Sequence, residues 1–207
     1  MPANTSDLPV PNHHASHGGF SGFSGLAAAI RFLSGREEAA ALAIELADLE
    51  PGDRLVDIGC GPGTAVHAAH ELGAEVVGVD PATVMLRVAR LRWLRDRSTS
   101  WRVGTAESVP VADAWATVVW SLATVHHWVD LEAGIREVQR VLAPGGRFVA
   151  IERRIADPNA EGTASHGWTV EQAESFGEHL RRHGFVDIAT GTHDGTPELV
   201  HVVARHA

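Results

Sequence analysis

The run Leu55-Val-Asp-Ile-Gly-Cys-Gly-Pro-Gly-Thr64 constrains this chain more than any other segment, because it reads as a buried strand breaking into a glycine turn that opens a helix. Gly59, Gly61 and Gly63 carry no Cβ, so they accept positive φ and let a ligand lie against bare main chain. The unpaired N–H groups of the following helix then face the ligand's anionic part. The spacing is G-x-G-x-G, whereas a dinucleotide fingerprint requires glycine at position 64, where Thr64 stands. A P-loop requires lysine, and the sequence contains none. Phosphate-gripping turns are therefore disfavoured, and a nucleotide-like ligand held by backbone is expected.

Around this turn short apolar runs alternate with helical patterns, the signature of right-handed βαβ crossovers on a parallel sheet. Strands are predicted near 54–59, 75–80, 101–104, 116–122, 146–152, 186–191 and 198–204. Helices are predicted near 26–33, 36–49, 63–72, 82–97, 131–142 and 170–183. Ala116-Thr-Val-Val-Trp-Ser-Leu122 is apolar on both faces, as a central strand covered by helices should be. Thr169 and Gln172 form a capping box, and Gly184 stops the helix that follows. His193-Asp-Gly-Thr-Pro197 is too short for a crossover, so the last two strands should pair antiparallel at the sheet edge. The irregular stretch 156–168 follows the fifth strand and is a candidate substrate loop, because ligands of open α/β sheets bind outside carboxyl strand ends.

Length and charge narrow the function classes. A chain of 207 residues with 44% hydrophobic content suits one well-buried domain, predicted over 26–207. Residues 1–25, rich in Gly, Ser, Pro and His, are expected to form a flexible N-terminal arm or lid. A net charge of -9 argues against nucleic acid as partner. All 17 basic residues are arginine and tyrosine is absent, which excludes Schiff-base lysine chemistry and tyrosine general acids. The one cysteine forms no internal disulfide, no segment approaches the ~18 apolar residues of a membrane span, and no basic n-region opens the chain. A cytoplasmic protein without membrane contact, monomeric or homodimeric, is expected.

Val56-Asp-Ile-Gly-Cys-Gly-Pro-Gly-Thr64 resembles the first motif of the class I S-adenosylmethionine-dependent methyltransferases. Val76-Val-Gly-Val-Asp80, Gly104-Thr-Ala-Glu-Ser-Val-Pro110 and Val141-Leu-Ala-Pro-Gly-Gly-Arg-Phe148 follow in the family's order, and the likeness is close over residues 50–155. It implies an α/β fold: a doubly wound, Rossmann-like seven-stranded sheet, mostly parallel with an antiparallel final strand, and helices on both faces. It also implies S-adenosyl-L-methionine as cofactor, S-adenosyl-L-homocysteine as product and a small-molecule acceptor. Gly59, Cys60, Gly61, Gly63 and Thr64 then form the cofactor turn, with Cys60 as small buried filler. Asp57, an acid inside a buried strand, must meet donors there; by similarity it steadies the turn and the ligand's ammonium end. Asp80 lies about twenty positions beyond Gly59, where a Rossmann acid meets a ribose, and with Pro81 it also reads as a helix start.

By the same resemblance Thr105, Ala106 and Glu107 lie where family members hold the adenine ring. Thr105 stands where the family has aspartate, and Glu107 reads equally as a solvent-facing helix start. Ser121 begins the segment whose backbone touches the methionine part. His126 and His127 face the acceptor, where an imidazole can take a proton from a hydroxyl or amine. His13, His14 and His17 with His166 have loose spacing and no carboxylate or cysteine pattern, so a flexible polar segment is expected and no metal. The arginines Arg87, Arg90, Arg92, Arg95, Arg97 and Arg102 read as a solvated face. A catalytically silent binding module is the alternative. A nicotinamide oxidoreductase is weaker, for want of the third glycine and a Tyr-Lys pair.

Overall fold

Aliphatic and β-branched runs assemble one seven-stranded sheet in the order β3-β2-β1-β4-β5-β7-β6. The computed structural model describes residues 9–15, 37–93, 99–157 and 162–207. Its strands are β1 (Arg54–Ile58), β2 (Glu75–Asp80), β3 (Ser100–Val103), β4 (Ala116–Leu122), β5 (Leu142–Arg153), β6 (Phe185–His193) and β7 (Thr196–His206). The helices are α1 (Glu37–Ala47), α2 (Thr64–Glu71), α3 (Thr83–Arg92), α4 (Leu131–Val141) and α5 (Val170–Arg182). β1 pairs parallel with both β2 and β4, while β7 runs antiparallel between β5 and β6. The predicted fold class and antiparallel final strand are therefore present.

Alternation along each strand splits the apolar side chains between two cores. Val56, Ile58, Val119, Phe148 and Ala150 join Ile135 and Val138 of α4 and Phe176 and Leu180 of α5 on one face. Leu55, Val118, Trp120, Val149 and Ile151 join Ala43 of α1, Val66 of α2 and Leu86 of α3 on the other. Asp130 caps α4 by accepting from Ala133, and the Thr169–Gln172 capping box opens α5 as predicted. Both helices are thereby fixed in phase against the sheet.

β5 begins at Leu142 rather than near 146, because Pro144-Gly145-Gly146 continues the strand through a register shift opposite Ala116 and Val118. The predicted helix at 26–33, residues 94–97 of the helix predicted at 82–97, His17, Arg95 and Arg97 lie outside the described residues. Within the predicted arm, residues 9–15 are docked against the domain. Trp168 Nε1 donates to Pro11 O at 2.7 Å, Asn12 Nδ2 to Trp128 O at 2.9 Å, and the His14 amide to His126 O at 2.8 Å. Arg90 donates to Trp101 O and Arg92 to Thr64 Oγ1, so these two members of the arginine run hold α3 to its neighbours. Among the described residues no helix is long and apolar enough to cross a membrane.

At the amino edge, Asp53 ties three strands together. Its carboxylate accepts from the Glu50 amide at 2.9 Å, the Thr117 hydroxyl at 2.6 Å and Arg147 Nη2 at 2.6 Å. Burial alone would raise its pKa, but the Glu50 amide, Thr117 and Arg147 outweigh it and hold the group below the ordinary 3.8. Asp53→Asn should therefore cost about 1–3 kcal/mol of stability near neutrality, read as a lower thermal midpoint. A depressed carboxylate stabilises above its unfolded pKa of about 3.9 and loses that contribution as pH falls through the native value. The gap between wild type and variant should close in acid.

Candidate active site

The strand order reverses between β1 and β4, and the crevice at their carboxyl ends is where an open α/β sheet binds its ligand. β1 delivers the glycine turn there. The amides of Gly59 and Cys60 both donate to Val79 O, at 2.8 and 3.0 Å, which locks the turn onto the end of β2. Gly59, Gly61 and Gly63 hold φ of 79°, 53° and 82°, the left-handed region that side-chain-bearing residues avoid. Space forbids a side chain as well, since a Cβ on Gly59 would lie 2.4 Å from Thr124 Cγ2 and one on Gly63 would lie 2.2 Å from the Trp101 ring. Cys60 is buried, its Sγ filling the space beside Gly78.

Asp80 fastens this turn from β2. One carboxylate oxygen accepts from the Gly61 amide at 2.8 Å and the other from the Ala82 amide, also at 2.8 Å, just past Pro81 at the entrance to α3. The expected Asp80-Pro81 helix start is not formed: α3 begins at Thr83 behind Ala82, which no side chain caps, and Asp80 instead ties the glycine turn to the segment before the helix. Asp57 is buried on β1 between Gly78 of β2 and Trp120 of β4. Thr64, the first residue of α2, accepts from Arg92 Nη1 at 3.1 Å, while Trp93 Nε1 donates to Pro62 O at 3.2 Å. The turn is braced from both sides.

The loop after β3 is equally fixed. Thr105 and Ser108 exchange backbone hydrogen bonds in a tight turn, which buries Ala106 and leaves Thr105 exposed. Glu107 lies in that turn and does not start a helix, a correction to the sequence reading. Its Oε1 accepts from the amides of Val129 at 2.7 Å and Asp130 at 3.2 Å, at the entrance to α4. Arg140 of α4 donates to Val109 O and Val111 O and pairs with Glu137, whose other oxygen takes the Val109 amide. Hydrogen bonding to Arg140 holds the Glu137 carboxyl below its ordinary range.

β4 supplies the opposite wall. The buried Ser121 hydroxyl shares a hydrogen bond with Thr124, and Thr124 Oγ1 donates to Ile58 O at 3.1 Å, bridging the end of β1 to the loop after β4. A single 3₁₀ turn, Val125–His127, then presents both predicted histidines. His126 is buried and its Nδ1 lies 2.8 Å from Oε2 of Glu152, a fully buried carboxylate on β5. Its other ring nitrogen, Nε2, lies 3.4 Å from His166 Nδ1. Burial, followed by the neighbouring rings of His126, His166 and His14, pushes His127 down to about 3, so this ring is neutral near pH 7.

Five imidazoles meet here. His14 is buried with its ring centroid 4.5 Å from that of His166, and His13 lies 6.0 Å from His126 and bonds Ser165 O at 2.9 Å. One donor nitrogen from each of His126, His127 and His166 lies within 4.8 Å of the others. Sequence reasoning put His13, His14 and His166 apart from His126 and His127, because nothing in their spacing joins them. Thr124 and Glu152 were also missed. An acid ending the apolar run Val149-Ala-Ile-Glu152 was the available signal for the second, the same argument that singled out Asp57.

Residues 56–150 match the family described as methyltransferase domain. The ubiquinone/menaquinone biosynthesis C-methyltransferase of Rubrivivax gelatinosus is 30% identical over 109 residues, 53% of this chain and 43% of that protein. Methyltransferase GfsG of Streptomyces halstedii is 36% identical over 144 residues, 66% of this chain and 51% of that protein. The chain thus spans about half the length of these relatives or less. Among solved structures, a SAM-dependent methyltransferase from Aquifex aeolicus superimposes with a TM-score of 0.71 at 17% identity, covering 87% of this chain and 98% of that one, a likeness of fold.

The crowding at Gly59 gives a direct test of the turn. Gly59→Ala should lower the thermal midpoint and weaken S-adenosylhomocysteine binding at least tenfold in calorimetry. Adding Thr124→Gly should restore only part of the loss, since the positive φ remains strained.

Proposed function

We propose that this chain, whose residues 56–150 match a methyltransferase domain, is a class I S-adenosylmethionine-dependent methyltransferase that moves a methyl group from S-adenosylmethionine to a small-molecule acceptor by in-line displacement. The observation that carries this reading is the glycine turn at the β1/β4 switch point, held open by the Asp80 carboxylate on Gly61. The turn backbone, from Gly59 to Thr64, lies against the methionine and ribose of the cofactor. Asp80 accepts from the ribose hydroxyls, and Asp57 steadies the ammonium end. Ala106, with Thr105 and Glu107 beside it, borders the adenine, and Ser121 borders the methionine part.

The chemistry asks little of the protein. The leaving group is a neutral thioether, so holding the acceptor atom in line with the sulfonium methyl supplies much of the rate. His126 and His127 act on the acceptor by easing the loss of its proton, with Glu152 holding His126 in one orientation. Residues 9–15, the described part of the expected N-terminal arm, serve as a lid over this side, a role favoured by their docking onto Trp128, His126 and Trp168. A net charge of -9 favours a small acceptor over nucleic acid.

Incubation with methyl-labelled donor and a pool of cell metabolites should transfer label to a small molecule. Asp80→Ala should weaken S-adenosylhomocysteine binding by about 1–3 kcal/mol, as when a buried hydrogen-bonded acceptor is lost. Binding of NAD in place of S-adenosylhomocysteine would reverse the assignment, and cofactor binding without any label transfer would leave a silent binding module.

A further inference from the structure

The histidine cluster beside the crevice holds more donor nitrogen than proton transfer needs. Its rings come from three separate segments: residues 13–14, the turn after β4, and the loop after β5. That last loop is anchored independently of its imidazole, since Arg153 donates to His166 O at 2.9 Å and to Ala164 O at 3.0 Å. His13 holds the preceding residue through Ser165 O, and Gln172 Nε2 lies 3.1 Å from the other nitrogen of the His13 ring. The backbone therefore carries His166 to a set place against His126.

We propose that His126 Nε2, His166 Nδ1 and a ring nitrogen of His127 bind a divalent first-row transition metal ion of the zinc class. Three observations argue for it. The spacing fits, because two imidazoles on a tetrahedral ion at Zn–N distances of about 2.0–2.1 Å stand about 3.4 Å apart, and His126 Nε2 and His166 Nδ1 are separated by 3.4 Å. The third donor lies within 4.8 Å of both, on a half-buried ring at the rim. Glu152 supplies the carboxylate that ligating histidines characteristically engage through their other nitrogen, which fixes the tautomer and aims Nε2. An all-imidazole set selects zinc, copper, iron or nickel over magnesium and calcium, which demand oxygen. Three protein ligands leave a fourth position open, the pattern of a catalytic ion.

This inference rests on the methyl-transfer reading for what fills that position: an acceptor bearing a hydroxyl or thiol that ligates as its anion. The ion lowers the pKa of the bound group, whose proton passes to solvent water. A lone pair of the resulting oxygen or sulfur anion forms the bond to the methyl carbon. The methyl–sulfonium bond breaks with its electrons remaining on sulfur, leaving S-adenosylhomocysteine. His126 and His127 then ease deprotonation as ligands.

The test uses the full chain, without an affinity tag and stripped of metal by chelation. Titration with cobalt(II) and zinc(II) should show one tight equivalent, with the visible bands of four-coordinate cobalt, while magnesium produces no heat. His166→Ala should weaken cobalt binding at least tenfold and Glu152→Gln about 10–100-fold, with His193→Ala on β6 as an unchanged control. Should His166→Ala fail to fold, His166→Gln serves in its place. Cobalt binding that is absent in the wild type, or equally tight in the His166 and Glu152 variants, overturns the proposal. S-adenosylhomocysteine calorimetry on the metal-free chain separates the two readings. If cobalt binds as expected and S-adenosylhomocysteine does not bind, the metal site stands and the methyl-transfer reading falls.

Discussion

The hydrogen bond between the Gly61 amide and the Asp80 carboxylate is the contact on which the crevice depends. A glycine turn is free to take many shapes, and its conformational entropy is the largest of any segment. Asp80 removes that freedom by joining the turn to the end of β2 and, through Ala82, to the start of α3. Gly59 and Cys60 donating to Val79 O complete the anchorage. One acid thus joins the glycine turn after β1 to the end of β2.

The other wall is built from different materials. Thr124 reaches across to Ile58 and packs where a Cβ on Gly59 would stand, so the loop after β4 and the glycine turn define each other's shape. Beyond it, the buried Glu152 cannot remain without a donor in an apolar strand, and His126 meets that need. The same pairing that satisfies a buried carboxylate also orients the imidazole. Residues 10–13, through Val10 O, Pro11 O, Asn12 and the His13 ring, cover this wall by bonding to Gln172, Trp168, Trp128 and Ser165.

The positions of most strands and helices, and the glycine turn that opens the crevice, were legible in the sequence because they follow from local rules. Apolar runs too continuous for an exposed strand, such as Ala116–Leu122, announce a central parallel strand, and the Thr169–Gln172 box marks a helix start to the residue. Boundaries were less legible where local signals conflict. Pro144-Gly145-Gly146 reads as a turn, yet β4 pairs on both sides of it, at Leu142 and again at Arg147, and carries β5 through by a register shift. Glu107 reads as a residue beside the adenine or equally as a helix start, and its carboxylate accepts from the amides of Val129 and Asp130, 22 and 23 positions later.

By itself the sequence determined the succession of strands and helices, the three glycines of the turn, and the acid at the end of β2, since each depends on neighbours in the chain or on a spacing of one βαβ unit. Only the tertiary structure decided which polar groups meet: Glu152 with His126, His166 with His126 and His127, and residues 12–14 with the loops after β4 and β5. The physical reason is that a buried polar group must find a partner somewhere. Which partner it finds depends on where the sheet's two ends of chain come to rest, and no local periodicity carries that information.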